Sequence, residues 1–104
     1  MSDFLFVYIT NASKDEAKKI ARHLLDKKLI ACGNIYDGVT SVYRWEGKIA
    51  EENECVLIAK TTKEKFSQVK TEVEKIHPYK VPCIVEISVS ANQKYFDWVK
   101  KEVM

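Results

Sequence analysis

Glu46-Gly47, set between Trp45 and Lys48 where two long extended segments meet, restricts the fold of this chain more than any other feature. A two-residue loop with glycine, which takes positive φ at little cost, is a hairpin turn, and it forces the flanking segments into antiparallel pairing. The segment before it reads as extended but irregular from Ile30 to Trp45, with Gly33 and Gly38 as bulge or bend positions, and the return strand reads from Lys48 through Thr61. A strand pair of this length exceeds what one small sheet uses.

The remaining elements fall around that hairpin. Phe4 to Thr10 is a continuous apolar run rich in β-branched and aromatic residues, the pattern of a strand. Ser13-Lys14-Asp15-Glu16 forms a capping box, and Ala17, Ile20, Ala21, Leu24 and Leu25 then recur at helical spacing, with Lys18, Lys19, Arg22 and Asp26 on the solvent side. Thr61-Thr62-Lys63-Glu64 repeats the capping pattern ahead of a second stripe, Phe66, Val69, Val73 and Ile76, and His77-Pro78 ends that helix. Cys83, Val85, Ile87 and Val89 alternate with more polar neighbours, as in a strand buried on one face, and Asn92 precedes a terminal helix with Tyr95, Phe96, Trp98 and Val99. The order βαββαβ with an extra C-terminal helix predicts an α+β fold. It is a four-stranded antiparallel sheet with helices on one face, the ferredoxin-like arrangement, in a single domain spanning residues 1–104.

Such a sheet exposes its second face, and its strands should alternate apolar with polar residues. These do not: Phe4, Phe6 and Tyr8 oppose Leu5, Val7 and Ile9, while Cys55, Leu57 and Ala59 oppose Val56 and Ile58. At roughly 25 cal/mol per Å² an apolar face left in water is costly, so the pattern predicts a homo-oligomer packed sheet against sheet, its long hairpin pairing with a neighbouring copy.

Charge and cysteine content narrow the function. With 17 basic and 15 acidic residues dispersed along the chain, there is no basic footprint of the kind nucleic-acid binding needs. No stretch approaches the roughly 20 apolar residues of a membrane span, and Met1-Ser2-Asp3 opens no basic, apolar leader, so the expectation is a cytoplasmic protein without a membrane partner. Cys32, Cys55 and Cys83, odd in number and set in apolar surroundings, fit buried thiols in a reducing compartment.

Five segments in order, Leu29-Ile30-Ala31-Cys32-Gly33-Asn34, Tyr43-Arg44-Trp45-Glu46-Gly47-Lys48, Lys60-Thr61-Thr62, His77-Pro78-Tyr79-Lys80-Val81-Pro82 and Tyr95-Phe96-Asp97-Trp98, resemble the CutA divalent-cation tolerance proteins over essentially the whole length. The resemblance implies a ferredoxin-like fold, a homotrimer built from long hairpins and a role in the response to copper and other divalent metals, with no enzymatic activity attached. Copper-binding bacterial members of that family carry a cysteine late in the first strand and two adjacent histidines before the Pro-Tyr pair. Ile9, Ile76 and His77 stand at those positions here. Copper and zinc sites ordinarily collect three or four nitrogen and sulfur donors, so a site on His77 needs help from other copies of itself or from a thiolate such as Cys32 or Cys83. The other reading of His77 is a helix-terminal residue bonded to backbone carbonyls. His23, beside charged neighbours, reads as a surface residue.

Tyr43 and Trp45 also carry two readings, interface packing or one wall of an inter-subunit cleft completed by Lys60, His77, Tyr79 and Pro82. Such a cleft suits a small anion or a carboxylate-bearing metabolite, with Lys60 as the charge and Tyr79 as the donor. The PII signalling proteins, a related trimeric ferredoxin-like group, make this a comparison from fold. Other classes on the same fold lack their signatures. Thr10-Asn11-Ala12-Ser13 offers no arginine-bearing phosphate loop, Cys55 to Lys60 offers no RNA-binding aromatic pattern, and neither histidine neighbours a nucleophile in sequence. Two functions remain. One is a metal-response protein binding copper or another divalent ion weakly through His77, and the other is a trimeric module binding a small ligand or a partner protein at its cleft.

Overall fold

The structure, a computed structural model, describes residues 3–104; Met1 and Ser2, part of the opening segment read above, lie outside it. Eight elements follow in order: β1 (Phe4–Asn11), α1 (Lys14–Asp26), β2 (Cys32–Trp45), β3 (Lys48–Thr62), a 3-10 turn (Lys63–Lys65), α2 (Phe66–Ile76), β4 (Ile84–Val89) and α3 (Gln93–Glu102). The strands form one sheet in the order β2-β3-β1-β4, every neighbouring pair antiparallel, which is the βαββαβ arrangement expected.

α1 begins as its capping box predicts, the Ser13 hydroxyl accepting from the amide of Glu16. Ala17, Ile20, Ala21 and Leu24 are buried against Val7, Ile9, Leu57 and Ala59 of the sheet and Val69 and Val73 of α2, whereas Leu25, expected on that stripe, is 40% exposed. The second capping box does not form. The Thr61 hydroxyl donates to the carbonyl of Leu29 at 2.7 Å and Thr62 makes no side-chain cap, so the chain passes through the 3-10 turn before α2 starts. α2 ends at His77, whose extended backbone precedes Pro78, as expected.

Helices cover both faces of the sheet, correcting the one-sided expectation. α1 and α2 lie on the face of Leu5, Val7 and Ile9, while α3 lies on the other, where Val99 and Val103 bury Phe4 and pack against Phe6 and Val89. Phe96 stacks on Phe4 at 5.7 Å between ring centroids. α3 covers only one end, so Phe6, Tyr8 and Ile58 stay partly buried and Val85 and Ile87 are 47% and 41% exposed. β4 is therefore not buried on the face its alternation suggested.

The hairpin outruns the sheet. β1 stops at Asn11, opposite Cys55, and from Glu54 to the turn β2 and β3 pair only with each other. Asn11 is fully buried at that departure point and its amide donates to the carbonyls of Ile9 and Cys55. Glu46 (φ 48°) and Gly47 (φ 80°) make the turn, both in the left-handed region as a type I′ turn requires. Of the two expected bulges only one exists. Tyr36 pairs with Val56 and Val39 with Glu54, so Asp37 and Gly38 together oppose one residue, and Gly38 takes φ 73°. Gly33 is regularly paired with Ala59, and its role is close approach, because a Cβ there would lie 2.8 Å from Leu57 Cδ1.

Candidate functional site

The turn and the bulge decide which side chains meet beyond the end of β1. The turn fixes Trp45 opposite Lys48, Tyr43 opposite Ala50 and Ser41 opposite Glu52. The extra bulge residue returns Val39 to the same face as Tyr36, so Val39, Ser41, Tyr43 and Trp45 share the face carrying Glu54 and Val56. That is the face on which Thr10 of β1 points. Onto it folds the irregular segment between α2 and β4, leaving an open cleft of about 550 Å³ lined by Thr10, Ser41, Tyr43, Trp45, Ala50, Glu52, Glu54, Tyr79, Lys80, Val81 and Cys83.

His77 pins this segment. Its ring is 8% exposed, Nε2 donates to the carbonyl oxygen of Thr10 at 2.8 Å, and Nδ1 accepts from the amide of Tyr79 at 3.1 Å. This pairing assigns the neutral tautomer with the proton on Nε2. The Tyr79 ring stands edge-on to the imidazole at 4.6 Å and its hydroxyl donates to Glu54 Oε2 at 2.6 Å. Across the cleft Tyr43 donates to Glu52 Oε1 at 2.9 Å. Burial, then the carboxylate it donates to, holds the Tyr79 phenol well above its usual range, and Tyr43 is raised first by its bond to Glu52. Both phenols therefore stay donors, and each carboxylate keeps one oxygen, Glu52 Oε2 and Glu54 Oε1, without a hydrogen bond among the described residues.

Of the residues expected at an inter-subunit cleft, Tyr43, Trp45 and Tyr79 line this cavity of the single chain. Lys60 does not join them. It sits six residues up β3 from Glu54, roughly 20 Å away at strand rise, with its ammonium over the rings of Phe6 (5.7 Å) and Tyr95 (5.5 Å). Pro82 and His77 are not in the lining either; His77 holds the wall from behind. Within the single chain the charged lining of this cavity is Glu52, Glu54 and Lys80, which is net acidic and disfavours a carboxylate ligand there.

The candidate metal ligands are dispersed. Cys32 pairs across the sheet with Lys60 and its sulfur lies 3.6 Å from the Tyr95 hydroxyl. Burial, then this contact, pushes that phenol up to about 12. Cys83 lines the cleft at the other end of the sheet, and both ring nitrogens of His77 are committed to the backbone. Among the described residues no three of His, Cys, Asp and Glu gather closely enough to hold a metal ion, and these donors do not fit one within a single chain. His23 is more than a surface residue, for its Nε2 meets Glu72 Oε1 at 2.9 Å and ties α1 to α2.

A four-stranded antiparallel sheet with α1 and α2 on one face, α3 on the other and a projecting two-stranded arm places this chain among the ferredoxin-like α+β proteins. The model of the CutA1 divalent ion tolerance proteins matches residues 5–102, and the chain belongs to that family. It is 46% identical over 99 residues to the divalent-cation tolerance protein CutA of Archaeoglobus fulgidus, covering 94% of this chain and 96% of the relative. With the Thermus thermophilus protein of that name it shares 42% identity over 96 residues, 91% and 93% of the two chains. The crystal structure of the CutA1 protein from Ehrlichia chaffeensis superposes with a TM-score of 0.94 at 37% identity, covering 100% of this chain and 98% of that one. No helix among the described residues is long and apolar enough to cross a membrane.

Proposed function

We propose that this chain serves divalent-cation tolerance as a non-enzymatic, cytoplasmic homotrimer, a PII-like module whose open sheet faces and hairpin arms pack against sister copies. The observation that carries the reading is the uncovered stretch of sheet, where Val85 and Ile87 lie exposed beside Phe6, Tyr8 and Ile58. A contiguous apolar strip of that kind associates in water. The hairpin supports the same reading, because beyond Asn11 both of its edges offer unpaired amides and carbonyls to another strand. The number three is what the family resemblance implies.

In this reading copper or another divalent ion binds weakly. Ile9 and Ile76 replace two of the three expected ligands, and His77 would have to give up one of its two ring hydrogen bonds to act as the third. Calorimetric titration of the reduced protein with Cu(II) and Zn(II), repeated on His77→Ala with thiols assayed afterwards, tests it. Weak binding unchanged by the substitution is expected. Tight, saturable binding at a fixed ratio, lost in His77→Ala, would restore a His77 metal centre and overturn this part.

A further inference from the structure

The cleft between the hairpin and the Tyr79–Cys83 segment lacks Lys60, the charge that suggested an anionic ligand, and its own chemistry specifies another class. We propose that it takes a small organic monocation, a guanidinium or ammonium head on a short apolar stem.

Four observations converge. The volume, about 550 Å³, is that of a small-molecule site. Its walls include Tyr43, Trp45 and Tyr79, whose ring faces attract a weakly hydrated cation and whose bodies bury an apolar stem. Its charged lining residues are Glu52, Glu54 and Lys80, which sum to one negative charge, so a single positive charge neutralises it. The two carboxylates are already oriented by phenols, leaving Glu52 Oε2 and Glu54 Oε1 as acceptors without partners among the described residues.

Spacing favours a planar, two-edged donor. Glu52 and Glu54 are two residues apart on one face of β3, about 7 Å along the strand. A guanidinium presents donors on opposite edges and spans such a pair, as a compact ion does not. A bare divalent cation fares worse, because it needs more converging donors than this pair and, although Cys83 lines the same cleft, no three His, Cys, Asp or Glu groups among the described residues gather closely enough to hold one. The cleft lies on the sheet face and hairpin arm that the proposed assembly packs against sister copies, so the inference rests on that reading and requires the cleft to stay open in the assembled protein.

The test is titration of the assembled protein with butylguanidinium, followed by the NMR shift of the Trp45 indole proton in a Trp98→Phe background. Butylurea, the neutral analogue, and butyrate, the anionic one, serve as matched probes. Saturable binding of butylguanidinium, with butylurea and butyrate each at least tenfold weaker, is the expected result. Glu54→Gln and Glu52→Gln, each shown folded by the retained dispersion of its spectrum, should each weaken it about tenfold. Equal binding of butylurea or butyrate, indifference to both substitutions, or no binding because a sister copy fills the cleft would each overturn the proposal. The three-ligand comparison on the parent protein decides the sign of the site even if a variant fails to fold.

Discussion

His77 Nε2 donates to the carbonyl oxygen of Thr10 at 2.8 Å, joining the end of α2 to the last residues of β1 across 67 positions of sequence. With Nδ1 accepting from the Tyr79 amide, the ring is a structural clamp that sets the back wall of the cleft. His77→Ala should therefore destabilise the chain by about 1–3 kcal/mol, since it leaves a buried carbonyl and an amide without partners. Urea denaturation at fixed protein concentration measures this, and an unchanged midpoint would remove the clamp from the account.

Gly33 is held small by α1 and Leu57. An alanine Cβ would lie 2.8 Å from Leu57 Cδ1 and 3.5 Å from the Ala21 Cβ, against the fully buried Leu57 side chain. Gly33→Ala should cost about 1–2 kcal/mol, the overpacking penalty less the entropy gained in the unfolded chain. Adding Leu57→Val should recover part of that loss, and a strictly additive double variant in a denaturation cycle would contradict the contact.

The Glu72 carboxyl is held below the usual carboxylate range, first by its bond to His23 and then by Lys75. A depressed folded value means the contribution is present above the unfolded carboxylate range, near pH 4.3, and fades as pH falls through the folded value. Glu72→Gln should thus be less stable than the parent at pH 6, with the difference closing below about pH 4. Thermal unfolding across pH 2.5–6.5 checks it, and a difference that stayed constant in acid would refute the assignment.

Much of this architecture was legible, and the misreadings share a cause. Periodicity and the Ser13 cap located the elements because both are local, and Glu46-Gly47 alone fixed Tyr43 opposite Ala50 and Ser41 opposite Glu52. That register already placed Glu52 beside Tyr43, so the acidic lining was readable in part. The same register sets Glu54 opposite Val39, so its place was legible too; the bulge at Asp37-Gly38 lies beyond that pair and hid only which face Tyr36 shares. Lys60 stands apart from the single-chain cavity because a strand face runs the length of the strand, and nothing local says how far along it a cavity extends. Thr61 and Thr62 failed as a cap for a long-range reason, the carbonyl of Leu29 having claimed the Thr61 hydroxyl. α3 likewise chose its face by tertiary contact with Phe4, which no helical stripe announces.

Val85→Asp and Ile87→Asp place a charge on the exposed β4 strip without touching the core beneath α1 and α2. Each should break the assembly while leaving the chain's far-ultraviolet circular dichroism intact, because a desolvated carboxylate at an apolar interface is strongly unfavourable. Variants that elute and scatter as the parent does would show that this strip is not the interface.

Light scattering coupled to size exclusion, on the reduced parent protein at micromolar concentration, bears most directly on the proposed assembly. The account predicts a mass three times the 12.0 kDa of one chain, unchanged on dilution across the micromolar range. A mass of a single chain would contradict it, leaving Val85 and Ile87 exposed on a free sheet face and the homotrimer without support.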